Sequence, residues 1–213
     1  MSATNSRGYR NKNGANIDFN PKNAWVGQIG LGDKWLPEDQ RRFAEFESHE
    51  YGIRACAALL TTYFDRHKLK TVRSIINRWA PPVENNTSAY VNAVADAMGV
   101  EPDDEINLHT YEHMRPLVEA IIRHELGGQP YAASVIDEGL RLAGIRKPVT
   151  TVAQAASTGT GRGAIEVGAV AAAAAAAAPA IQAIGSLPMW TGVAFVVGAV
   201  VLAIFVVLKR RKD

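Results

Sequence analysis

The sequence predicts a mainly α-helical domain with a small β-hairpin element, followed by a C-terminal transmembrane helix. Three observations carry this prediction. Apolar residues recur at helical spacing through most of residues 52–144, a Gly- and Asn-rich stretch with short alternating runs precedes them, and an uncharged apolar run comes just before a closing KRRKD.

In order along the chain, "NGANIDFNPKNAWVGQIGLGDKW" and the alternating "RFAEFES" predict short hairpin strands within the first fifty or so residues. "GIRACAALLTTYFDRH" (52–67) places Ile53, Cys56, Ala57, Leu60 and Phe64 on one helical face. "TVRSIINRW" (71–79) does the same through Val72, Ile75, Ile76 and Trp79 and stops at "APP". "NTSAYVNAVADAMGV" (86–100) starts at a Thr or Ser cap, stops at Gly99, and aligns Tyr90, Val91, Val94 and Met98. A helix from about 110 to 124 presents Met114, Leu117, Val118, Ile121 and Ile122, and "YAASVIDEGLRLAG" (131–144) adds another.

The last third differs in composition. Residues 147–164, "KPVTTVAQAASTGTGRGA", lack apolar periodicity and read as a flexible linker. Residues 165–186 are Ala-rich, uncharged after Glu166 and weakly hydrophobic, which fits either a helical stalk or a second membrane span. Within 187–213, residues 189–208 carry no charge, reach the roughly 20 residues a bilayer requires, and lie between Trp190 and a basic tail. The soluble domain then covers 1–146, and its N-terminus, "MSATNSRGYRNKNGANIDFN", is a polar tail without the apolar core of a signal peptide.

Composition narrows the function classes. A net charge of +2 with dispersed basic residues excludes an electrostatic nucleic-acid binder. The lone Cys56 rules out an internal disulfide and sits in an apolar run, as a core residue does. His109 and His113 are four apart on a helix, but no third ligand or H-E-x-x-H pattern accompanies them, so no metal and no cofactor is expected. No phosphate-binding Gly loop follows a strand, and no Ser or Cys nucleophile context appears.

Residues 52–94, "GIRACAALLTTYFDRHKLKTVRSIINRWAPPVENNTSAYVNAV", resemble the later half of the lytic transglycosylase and glucosaminidase branches of the lysozyme-like superfamily. Glu84, Thr87, Tyr90, Val91 and Val94 resemble the family's E-T-x-x-Y-V-x-x-V helix, with one extra residue between Glu84 and Thr87. "RNKNGANI" followed by "WVGQ" and "RFAEFES" is similar to the N-N-P-G-N-I hairpin and following strand of phage and bacterial peptidoglycan hydrolases, with Gly14 and Ala15 in place of Pro-Gly. The family's catalytic glutamate ends a helix before that hairpin. Here "IIRHELGGQPY" resembles that element near the domain's end, an order that looks circularly permuted and that neighbouring termini permit. The whole pattern also looks like small phage virion proteins carrying NPGNI, GIRA, RWAPPxEN and RHENG blocks, with Leu126 where Asn is usual.

The resemblance implies a lysozyme-like helical domain in a phage protein that cleaves peptidoglycan glycan strands with one glutamate. Glu125 takes the catalytic position, because delivering a proton to a glycosidic oxygen calls for a carboxyl group in apolar surroundings, and Tyr90 helps fix the reacting sugar. Asn13, Asn16, Trp25, Glu47, Glu84, Asn85 and Tyr131 are the candidate substrate contacts, although Asn13, Asn16 and Asn85 also suit turn capping. Trp35 and Trp79 offer further rings, with Trp79 placed for the core. Asp18, Glu45 and Glu47 are the candidates for a second carboxylate. Expected partners are peptidoglycan, a lipid membrane met by 189–208 and other virion proteins, with no nucleic acid. The location is then a virion membrane or the host inner membrane. A virion membrane or structural protein that uses the fold without catalysis is the alternative.

Overall fold

The computed structural model describes residues 2–81 and 87–148. The chain divides into the units Met1–Pro148 and Val149–Asp213, and the fold is that of the first. The expected linker from residue 149 on, the Ala-rich helix and the transmembrane helix lie outside the described residues, as do Glu84 and Asn85. Among the described residues no helix is long and apolar enough to cross a membrane.

The described chain is mainly helical, with one two-stranded antiparallel sheet. Its elements are α1 (Arg7–Arg10), β1 (Gln28–Leu31), β2 (Ala44–Phe46), α2 (His49–His67), α3 (Val72–Trp79), α4 (Thr87–Met98), α5 (Tyr111–Leu126) and α6 (Ala133–Leu142). The longer helices fall where the apolar period placed them, and their ends have local causes. Ser48 caps α2 by accepting from the Tyr51 N–H, and Lys68 closes it in the left-handed region at φ 58°. Thr71 and Ser74 form a capping box on α3. In the sheet Gln28 faces Phe46 and Leu31 faces Ala44, with a bulge between Gln28 and Gly30.

The core is built around α5, whose Met114, Leu117, Val118, Ile121 and Ile122 are fully buried. This helix lies against α1, α2, α4 and α6. Ile53, Cys56, Ala57 and Leu60 of α2 and Val72, Ile75 and Ile76 of α3 complete it, as their spacing predicted. Cys56 is buried, and burial followed by the nearby Glu125 charge pushes its thiol well above the ordinary range, so it is inert.

The N-terminal segment corrects an expectation. It is not merely a polar tail: a 3-10 turn at Ala3–Asn5 leads into α1, which Ser6 caps. Periodicity had no purchase on the four residues "RGYR". What seats them is Gly8, where a side-chain carbon would collide with Leu126 at 2.7 Å.

Close approach also decides how the loop after α1 meets α2. A β-carbon on Gly52 would overlap the Lys12 carbonyl, so helix and loop touch backbone to backbone. Gly52→Ala is expected to force them apart at a cost of about 3 kcal/mol, read by urea unfolding. An unchanged midpoint would show that the loop is not held there.

Candidate active site

Glu125 sits in the last turn of α5. The helix stops one residue later because Gly127 takes φ 68°, and its N–H returns to the Arg123 carbonyl. The half-buried Glu125 carboxylate therefore stands where α5, the loop after α1 and the end of α3 meet. Asn16 Nδ2 donates to Oε2 at 3.0 Å, and the Trp79 indole Nε1 donates to Oε1 at 3.2 Å. Each oxygen thus uses one acceptor direction and keeps another open.

The loop at 11–17 presents Asn16 because Asn13 locks it in place. Asn13 is fully buried; its Nδ2 donates to the carbonyls of Ile17 and Ala44 at 2.8 and 2.9 Å, and its Oδ1 accepts from the Ile17 N–H at 2.9 Å. That arrangement consumes the side chain, so Asn13 holds the loop to β2 and touches no groove. Asn16 itself adopts φ 50°, a left-handed conformation that asparagine tolerates better than most residues.

Glu125 opens into a groove of about 620 Å³ lined by Asn16, Asp18, Asn20, Asn23, Trp25, Arg42, Phe43, Tyr63, Trp79, Tyr90 and His124, among others. Three polar atoms from its lining residues are buried without a partner: Asn16 Oδ1, Trp25 Nε1 and the Tyr90 hydroxyl. Burial, then the Glu125 and Cys56 charges, raise the Tyr90 phenol far above its ordinary range, so it is neutral at any working pH. The ring of His124 stacks on Tyr90 with centroids 3.5 Å apart and planes within 9°. Tyr90→Phe is expected to leave stability unchanged or raise it by up to about 1 kcal/mol, because the lost hydroxyl is desolvated and unpaired. A clear loss in thermal unfolding would show that the hydroxyl has a structural partner.

The groove thus gathers Glu125, Tyr90, Asn16 and Trp25 of the expected residues and leaves others out. Glu47 is exposed, and its carbonyl accepts from Lys12 Nζ at 2.8 Å. Tyr131 packs in a separate aromatic group with Tyr9 and His49, with ring centroids 5.6 and 4.9 Å away. Trp35 lies under the Arg10 guanidinium at 4.0 Å. Of the candidate second carboxylates, Asp18 lines the groove but is bidentately held by Arg42, and Glu45 pairs with Lys34 at 2.6 Å. Trp79 packs against the core as expected but only in part: it is half-buried, and its N–H reaches the carboxylate. Sequence reasoning also missed Tyr63 and His124 as groove residues; the aromatic spacing on α2 and the position of His124 beside Glu125 were the available signals.

Among the described residues no group of His, Cys, Asp and Glu side chains gathers to hold a metal ion. His109 instead pairs with Asp65 at 2.8 Å, and the His113 ring meets the Thr110 hydroxyl at 3.1 Å.

No protein-family model matches the sequence. Over 138 residues, 63% of this chain and 79% of the relative, the sequence is 36% identical to Protein P5 of Pseudoalteromonas phage PM2. The chain belongs to the family of that phage protein.

Proposed function

We propose that this is a membrane-anchored phage virion protein whose helical domain, a permuted lysozyme-like fold, cleaves the glycan strand of peptidoglycan. The observation that carries the reading is the meeting, in one groove, of the Glu125 carboxylate with Asn16, Trp25 and Tyr90, of which Trp25 Nε1 and the Tyr90 hydroxyl are buried without a partner. Buried polar atoms are normally paired, so a cluster without partners fits a ligand that supplies them. An acetamido sugar offers a carbonyl to a donor such as Trp25 Nε1. The rings of Trp25, Tyr63 and Trp79 add faces for pyranose rings.

The chemistry fits a single carboxyl group. Asp18 is held by Arg42, and neither Glu45 nor Glu47 lines the groove. Glu125 gives its proton to the leaving glycosidic oxygen. The sugar's own 6-hydroxyl then attacks the anomeric carbon, returning a proton to Glu125, and an anhydro end forms without water entering. A membrane anchor at 189–208, beside the basic tail, would keep the domain close to the polymer and raise its effective concentration there.

Turbidity clearing of purified peptidoglycan by the full chain, with mass spectrometry of the fragments, tests this. Anhydro-muramic ends are expected; reducing ends would indicate a hydrolase, and folded protein that releases nothing would overturn the reading. One observation favours the non-catalytic virion role. Asn16 and Trp79 make Glu125 a clip joining the 11–17 loop and α3 to α5, and a clip alone needs no substrate.

A further inference from the structure

We infer that a second cavity, beside the groove, takes the peptide arm carried by the glycan strand. The inference rests on the glycan-cleaving reading and deepens it. The cavity, about 340 Å³, lies between α4 and α5 and is lined by Ala93, Val94, Ala97, Ala120, Arg123 and His124, together with Tyr90. Tyr90 and His124 also line the groove, so their stacked pair is the wall the two spaces share.

Three features point to a ligand of that class. The walls are small and apolar, which leaves room for methyl-sized side chains but not for a sugar ring's full set of hydroxyl partners. Arg123 is exposed in the last turn of α5, and among the described residues no carboxylate pairs with its guanidinium. A guanidinium beside an apolar hollow matches a short chain that combines alanine with carboxylate-bearing residues, and it binds such a carboxylate bidentately. Tyr90, in the shared wall, carries a buried hydroxyl without a partner, close enough to Glu125 to feel its charge. A peptide branching from a sugar seated in the groove passes the Tyr90 and His124 pair to reach the cavity. Peptidoglycan arms have this composition and this point of attachment.

The test measures binding to the full chain of three probes: N-acetylmuramoyl tetrapeptide, N-acetylmuramic acid, and chitotetraose as a peptide-free probe of the groove. The first two contain no glycosidic bond, so neither is turned over. The tetrapeptide form is expected to bind about tenfold tighter than the bare sugar. Arg123→Gln and Ala97→Leu, both on exposed helix surface, are expected to erase that advantage and leave chitotetraose binding unchanged. If chitotetraose binds but the peptide confers no advantage, or the two variants keep it, the inference is overturned and the glycan reading stands. Arg123-dependent binding of the peptide form with no binding of chitotetraose supports the cavity and overturns the glycan reading. If none of the probes binds, both fall.

Discussion

Replacing Glu125 with Gln is expected to slow peptidoglycan clearing by roughly 10²–10⁴-fold, the range for losing a positioned acid. The amide keeps the size of the carboxyl but cannot deliver its proton. It also turns one oxygen into an NH2 group that faces either the Asn16 amide or the Trp79 indole, both of which donate. A stability loss of about 1–3 kcal/mol is therefore expected alongside, and urea unfolding measures it independently. The two readouts separate the readings. A catalytic glutamate loses clearing in a variant that remains folded at the assay temperature, whereas a structural clip shows the unfolding shift in a protein that never cleared peptidoglycan. Wild-type clearing that survives in Glu125→Gln would remove Glu125 from the chemistry altogether.

The helices were legible because burial imposes a period, and the apolar residues of α2, α3 and α5 kept to it. The position of Glu125 was legible for a local reason too, since Gly127 marks the helix end. What escaped the sequence was set by contacts across long separations. Asn16 and Glu125 are 109 residues apart, and Trp79 and Glu125 are 46 apart. No spacing rule connects such pairs. Trp79 lies on the apolar stripe of α3 and so reads as core; only the folded chain shows that one edge of its ring carries an N–H to the carboxylate. Asn13 and Asn16 are indistinguishable in "NKNGANI", yet one is sealed by three hydrogen bonds and the other faces the groove. The left-handed turn at Asn16 produces that difference, and the sequence hints at it only through the run of Asn and Gly.

Asp33→Asn is expected to be among the most destabilising single changes in the domain, at about 3 kcal/mol. The Asp33 side chain is fully buried and collects donors from two separate segments, α1 with its C-cap and residues 42–43. Arg7 of α1 reaches it with Nη2 at 2.6 Å and Nε at 3.2 Å, Asn11 donates at 2.7 Å, and the backbone N–H groups of Arg42 and Phe43 each donate at 3.2 Å. An asparagine accepts at one atom only and turns a donor toward these donors, though its backbone tolerates the local φ of 55°. Burial alone would raise this carboxyl; the Arg7, Asn11, Phe43 and Arg42 donors outweigh it and hold the group at about 2, below its ordinary 3.8. The unfolded chain therefore takes up this proton first as pH falls. The stabilisation is complete above about pH 4 and is lost as pH drops through about 2; it amounts to roughly 1–2 kcal/mol once the solvent contact of Arg7 is allowed for. Urea unfolding of wild type and Asp33→Asn should accordingly show a gap that is constant from pH 7 to 5 and narrows toward pH 3. A gap independent of pH would mean that the asparagine disrupts packing and that the charge contributes nothing. Because Arg42 and Phe43 line the groove and Asn11 begins the loop that carries Asn16, the same substitution is expected to loosen that part of the groove lining. Weaker chitotetraose binding in a variant still folded at pH 7 would trace that link from a buried carboxylate to the site.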